Sequence, residues 1–229
     1  MTKLLAALLA SAPLPAPAHS ASIDLQAAAQ LRDAALQDQL AWDITEGLTT
    51  EVGQRLAGTE AEARARAWAV RKLTALGFAN VRVDEFTIPT WVRGREQASI
   101  LSPYPQSLTI AALGNSGSTP AGGIEAEVVA FPSVEALRAA SAEQVRGKIV
   151  YVTHAMPRTQ DGSGYGVFGA PRRSGPTVAS QKGAAAIVIR SIGTDWHRNP
   201  HTGTMRFAEG ANPIPAGALS NPDADQLER

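Results

Sequence analysis

Cysteine is absent from all 229 residues. That excludes a disulfide framework, thiolate catalysis and thiolate metal sites together, so an exported form must rely on its core for stability. A charge excess of either sign is also missing, with Lys+Arg 21 balancing Asp+Glu 21. Zero formal net charge removes the electrostatic basis for a nucleic-acid or anionic-membrane partner. The apolar run from Leu4 to Leu14 is too short to span a bilayer, which takes about 20 residues. No period of 20 to 50 residues repeats, which excludes a solenoid. What is there is a globular composition: 44% hydrophobic and 18% charged, with Gly 20 and Pro 15 supplying many turns.

The first residues read as a processing signal, residues 1–20. Lys3 gives a positive start, Leu4 to Leu14 the apolar stretch, and Ala16, Ala18 and Ser20 small cleavage positions. Pro13, Pro15 and Pro17 oppose a core helix there. The expected location is periplasmic or secreted. Ser22 then caps a helical region to about Thr49, with Leu36, Leu40, Ile44 and Leu48 along one apolar edge. Gly53 and Gly58 bracket a tight turn. Thr59 and Glu62 form a capping box for a helix whose apolar stripe is Ala65, Trp68, Ala69, Leu73 and Leu76. Lys72 falls inside that stripe, and Gly77 ends the helix in the left-handed conformation. Phe78 to Ile88, with Val81 and Val83 alternating against Arg82 and Asp84, predicts a half-buried strand that stops at Pro89.

The texture changes at Trp91. Short apolar bursts, 98–101 and 108–113, lie between Pro, Gly and Ser, as in an all-β segment. Further strands are expected over 125–131, 148–153 and 185–190, and helices after Ser133 through Ala140 and over 175–182. Residues 154–174 read as a loop. The domain division is therefore residues 21–90, N-terminal helices and a first strand, then 91–229, a β-rich domain with two short helices. One strand cannot bury two helix faces, so the first piece must pack on the second domain or lack partner strands.

Chemistry-bearing residues are sparse. Of the four histidines, His19 belongs to the signal. His197 and His201 have zinc-protease spacing, but Asn199-Pro200 forbids a regular helix between them and no Glu follows His197. Asp195 is a third candidate ligand beside them. His154 follows a strand end, where α/β proteins often place functional groups. Gly162, Gly164 and Gly166 lack the helix and Gly-Lys-Ser/Thr of a phosphate loop. Arg172 and Arg173 are able to receive an anion, or to form a solvated face.

Several ordered segments resemble the di-zinc exopeptidases, and among them the carboxypeptidase Q-like branch. These are 51–59 (Glu-Val-Gly-Gln-Arg-Leu-Ala-Gly-Thr), 76–78 with Val81, 88–94 (Ile-Pro-Thr-Trp-Val-Arg-Gly), 113–120 (Leu-Gly-Asn-Ser-Gly-Ser-Thr-Pro) and 200–203 (Pro-His-Thr-Gly). Segments 146–150 (Arg-Gly-Lys-Ile-Val), 182–184 (Lys-Gly-Ala) and 213–215 (Pro-Ile-Pro) resemble a protease-associated (PA) domain. The implied fold is α/β: an incomplete N-terminal part of the zinc-exopeptidase domain, followed by a β-rich PA domain with short helices.

The resemblance implies a cofactor of two zinc ions that polarise the scissile carbonyl and acidify a shared water, with a glutamate moving the proton. It implies small peptides as substrate and no nucleic-acid or membrane partner, and it is compatible with a homodimer. The expected His-x-Asp and Glu-Glu signatures do not occur in this sequence. No metal or catalytic residue is transferred, no zinc is expected on this chain, and the catalytic zinc-binding region is expected to be absent. The substrate-facing segment implied is His201, Thr202 and Gly203, a loop able to contact substrate or simply to be held by internal hydrogen bonds. Two functions are carried forward: the N-terminal and PA-domain portion of an exported zinc-dependent exopeptidase, inactive alone, or a stand-alone PA-type module that binds peptides or a protein. A zinc site from Asp195, His197 and His201 is the third alternative.

Overall fold

A computed structural model describes residues 24–229. The expected signal segment, its His19 and the expected cap Ser22 lie outside the described residues. Two compact units divide between Pro89 and Thr90.

The first unit is helical. Helix α1 (Leu25–Gln37) is capped by Asp24, whose carboxylate accepts from the amides of Gln26 and Ala27 at 3.0 Å each. The single expected helix to Thr49 is instead broken. Asp38 adopts an extended conformation, and α2 (Leu40–Gly47) starts anew, running into a π-helical turn, Leu48–Val52. The chain reverses at Gly53 (φ +74°) and Gly58 (φ +79°), both left-handed. Arg55 braces this turn by donating from Nη1 to the carbonyls of Leu48 (3.2 Å) and Gly53 (2.6 Å).

Helix α3 (Glu60–Ala75) is capped by Thr59, which accepts from the Glu62 amide at 3.3 Å. The other half of the expected box does not form, because the Glu62 carboxylate pairs with Arg66 one turn on, at 3.0 Å. Of the expected stripe only Trp68 is buried. Its indole packs over Gly47 and donates to Glu51 Oε2 at 3.0 Å. The left-handed stop at Gly77 is present (φ +82°).

The expected strand at 78–88 is not. These residues form no ladder, and Phe86 is 82% exposed. Alternation marks a surface that fits a sheet, but a strand exists only when a neighbour supplies hydrogen bonds, and the described part of this unit holds none. The "first strand" expected within residues 21–90 is corrected accordingly.

The second unit is a five-stranded sheet with helices, in the order β3-β7-β6-β5-β4. Its strands are β3 (Ile110–Ala112), β4 (Val128–Phe131), β5 (Ile149–Val152), β6 (Ala186–Arg190) and β7 (Ala216–Leu219). Only β3 pairs antiparallel. A separate two-stranded ribbon joins β1 (Ala98–Ile100) to β2 (Gln106–Leu108). The expected strand at 108–113 is therefore split at Thr109, and its two halves serve different sheets. The all-β texture of 91–123 amounts to these three short strands. Its helices are α4 (Val134–Ala139), α5 (Ala142–Val145), α6 (Ala170–Arg173), α7 (Gly175–Gln181) and α8 (Asn221–Leu227), five rather than two. The expected loop at 154–174 contains α6 and a 3-10 turn, Val167–Gly169.

Parallel strands need crossovers: α4–α5 and α6–α7 supply the first two, and the long connection from β6 to β7 the third. The central strands are buried on both faces, as such sheets require. One face carries the main core, including Leu137, Val150, Val152, Ile187, Ile189 and Met205. The other packs Tyr151 and Leu219 against Leu108, Ala224 and Leu227, from the ribbon and α8.

Candidate functional site

Several of the family-like segments meet in the second unit, and hydrogen bonds explain their residue types. Gly114 donates to the Gly203 carbonyl (2.9 Å) and accepts from the Met205 amide (3.0 Å). A side chain at Gly114 would press on the Thr204 backbone at 3.1 Å. Asn115 takes a left-handed conformation (φ +70°) and its carboxamide donates to the Met205 carbonyl at 2.9 Å. Gly117 donates to the Ile214 carbonyl (3.0 Å), and a Cβ there would fall 2.7 Å from the Pro213 oxygen. Trp91 caps this knot by donating to the Ser116 carbonyl at 3.2 Å. Segments 113–120, 200–203 and 213–215 are thus one packed assembly.

A second junction involves Gly147 (φ +71°) and Gly183 (φ +79°). The Gly147 amide donates to Gly183, and the Ala185 amide to Lys148, both at 2.8 Å. The glycines of segments 146–150 and 182–184 let β5 and β6 be entered side by side.

His201, Thr202 and Gly203 lie in the long connection from β6 to β7. The His201 amide donates to buried Ser191 Oγ at 2.8 Å. Arg172 donates from Nη1 to Tyr165 Oη (2.8 Å) and to the Thr202 carbonyl (3.2 Å). Its guanidinium lies flat against Gly203, where a Cβ would stand 2.7 Å from Nη1. Tyr165 Oη is 2.7 Å from His201 Nε2, and the two rings meet edge to face at 5.5 Å. Arginine only donates, so Tyr165 Oη accepts from Arg172 and is joined to His201 Nε2 in the same short contact. His201 Nδ1 has no protein partner among the described residues. Burial pushes the His201 pKa below its ordinary value, the Arg172 charge adds to that, and Asp195 pulls the other way. The neutral imidazole is favoured as a result.

Arg172 is therefore not part of a solvated face; its Nε is buried without an acceptor. Composition gave no hint of Tyr165 or Ser191 as partners, because they come from distant segments. His154 packs on Phe168, ring centroids 4.5 Å apart, with a buried Nδ1 lacking a partner. Gly162 accepts from the Tyr165 amide in a turn that leads to the 3-10 segment, not in a phosphate cradle.

Among the described residues no three His, Cys, Asp or Glu side chains converge on a metal position. Asp195 Oδ2 stands 3.9 Å from His197 Nε2, His197 Nδ1 accepts from the Asn199 amide, and His201 Nε2 is taken by Tyr165. Zinc needs its donors at about 2.0–2.2 Å around one point. These residues do not fit it.

Two recesses adjoin the segment. Ser191, Asp195, His197, His201 and Asn221 border one of about 10 Å³, near the lower limit for a single water. Asn115, Arg173, Thr204, Met205 and Arg206 line an open one of about 410 Å³.

No family model matches the chain. It is 34% identical over 182 residues to mouse carboxypeptidase Q, a match covering 80% of this chain and 37% of the relative. Human carboxypeptidase Q is 32% identical over 182 residues with the same coverage. Among solved structures, a peptidase M28 precursor from Shewanella amazonensis is 47% identical with a TM-score of 0.80, covering 89% of this chain and 46% of that one. A zinc aminopeptidase from Bacillus subtilis shares the fold at 19% identity and a TM-score of 0.59, covering 82% of this chain and 40% of that one. The chain spans less than half the length of each of these relatives.

Proposed function

The chain belongs to the carboxypeptidase Q-like branch of the di-zinc exopeptidases, and from that premise we propose that it supplies the substrate-covering, PA-type part of an exported peptidase acting on small peptides. In this reading residues 91–229 form the PA domain and residues 21–90 belong to the peptidase domain. The observation that carries the reading is the held His201 ring, with Nδ1 free of protein partners among the described residues and the following backbone pinned by Arg172 and Gly114. A rigid polar segment of this kind suits a peptide backbone, and a preorganised segment binds with little loop-ordering entropy left to lose.

The chain's own residues bind and orient in this scheme. Tyr165 fixes the His201 ring, Arg172 holds Tyr165 and Thr202, and Gly203 gives the guanidinium room. No hydrolytic step is assigned to them, and the chain alone is expected to be inactive.

Titration of the neutral dipeptide Gly-Leu, followed by amide NMR shifts, tests the reading. Shifts at His201, Thr202 and Gly203 that vanish in His201→Ala are expected. Shifts confined to other segments would overturn the assignment, and release of free amino acids by the 229-residue chain with added zinc would overturn its non-hydrolytic role.

A further inference from the structure

We propose that the recess lined by Asn115, Arg173, Thr204, Met205 and Arg206 is a carboxylate subsite, which receives the acidic side chain of a peptide lying along His201–Gly203; this rests on the substrate-facing reading of that segment. At about 410 Å³ the recess lies in the range of small-ligand sites. Two arginines line it and no acidic residue does. Neither Arg173 nor Arg206 takes part in an ion pair among the described residues. Two like charges bordering one hollow repel, and an anion between them relieves the repulsion.

Arg173 is also held in place. Its Nη2 donates to the Gly166 carbonyl at 3.0 Å, and its guanidinium rests on Gly169, where any Cβ would overlap Nη1. The rest of its planar fork is thereby preset for a carboxylate, at little entropic cost. Buried Met205 contributes an apolar surface for an aliphatic stem, and Thr204 a hydroxyl. That mixture favours a carboxylate on a carbon chain over a free inorganic anion. Thr204 directly follows Gly203, so a peptide contacting the segment has the recess within one residue's reach.

Calorimetric titration of the full chain with Ala-Glu-Glu-Ala, Ala-Gln-Gln-Ala and inorganic phosphate tests the subsite. The acidic peptide is expected to bind at least tenfold more tightly than the glutamine peptide, and phosphate more weakly than either. Arg173→Gln and Arg206→Gln should each bring the acidic peptide's affinity down to that of the glutamine peptide. Arg206 is exposed, so its replacement keeps the test independent of folding. Equal binding of the two peptides, or a preference that survives both arginine variants, overturns the subsite and leaves the peptide-facing segment standing. Failure of both peptides to bind overturns the two together. Phosphate binding as tightly as the acidic peptide assigns the recess to inorganic anions and overturns the peptide carboxylate.

Discussion

Replacing Arg190 by methionine should be among the most damaging single changes in the second unit. Arg190 ends β6 with its side chain 9% exposed, and pairs with Asp225 and Glu228 of the α8 region at 2.7 Å each. Its Nε donates to the Thr153 carbonyl at 3.2 Å, and Glu228 also accepts from Tyr151 Oη at 2.7 Å. Three segments, β6, the end of β5 and the α8 region, thus meet at one guanidinium. Breaking a fully buried pair by deleting one partner costs about 3–5 kcal/mol. Here the two carboxylates are 31% and 40% exposed, so once the cation is gone they rehydrate in part. Methionine also retains most of the aliphatic packing. The expected loss is therefore about 2–3 kcal/mol, reduced from the buried limit by that hydration. Urea unfolding of the full chain should show a lower midpoint at unchanged slope. Glu228→Gln, which keeps an acceptor for both Arg190 and Tyr151, should cost about 1 kcal/mol. An Arg190→Met loss below about 0.5 kcal/mol would refute the idea that this cluster holds α8 on the sheet. So would an equal loss from Glu228→Gln.

Other consequences are open to direct measurement. His201 should titrate below the usual imidazole range by NMR, and Arg172→Gln, which removes one of the two causes, should raise its pKa; an unchanged value would contradict the Arg172 contribution. Because its folded pKa is depressed, the unfolded chain binds the proton first. His201's contribution is then present above about pH 6.5 and lost as pH falls toward the folded value. Burial, and next the bond to Glu228, raise the Tyr151 pKa, so its contribution is complete below about pH 10 and falls as pH climbs beyond, readable as a declining Tm in alkaline buffer. Gly117→Ala forces a methyl against the Pro213 carbonyl and should cost about 1–3 kcal/mol, whereas a fully stable variant would show that the knot yields easily. Gly47→Ala drives a methyl to within 2.6 Å of the Trp68 ring and should shift the indole fluorescence to the red as Trp68 leaves its site.

Much of the second unit was legible in the sequence because its signals are local. Ser133 does cap α4, accepting from the Ala136 amide at 3.2 Å, and the apolar runs at 149–152 and 186–190 are buried parallel strands. What was missed has an identifiable cause. Strand β7 reads Ala-Gly-Ala-Leu, with little β propensity, and is a strand because β6 and β3 flank it and leave room for nothing larger. A Cβ on its Gly217 would lie 2.7 Å from Ile110 Cδ1. Helix α8 is seven residues long, and its signal was a Ser220 cap beside a proline, easily taken for a turn. The expected strand at 78–88 is the converse case: its alternation was real, and the described residues supply no partner for it.

At the site, the sequence by itself picked out His201, Thr202 and Gly203 through a motif, and the glycines and prolines of the neighbouring motifs through their turn chemistry. It also determined the absence of thiol chemistry in these 229 residues, since composition alone decides that. Only the tertiary structure decided what His201 does. Tyr165, Arg172 and Ser191 lie between 10 and 36 residues away from it in sequence; their hydrogen bonds hold its ring and backbone, while burial and the Arg172 charge lower its pKa. It also moved Arg172 from a presumed surface to a packed brace, and left Arg173 and Arg206 lining one hollow. A motif records which residues a backbone turn tolerates. Protonation, burial and unpaired charge depend on what the fold brings alongside.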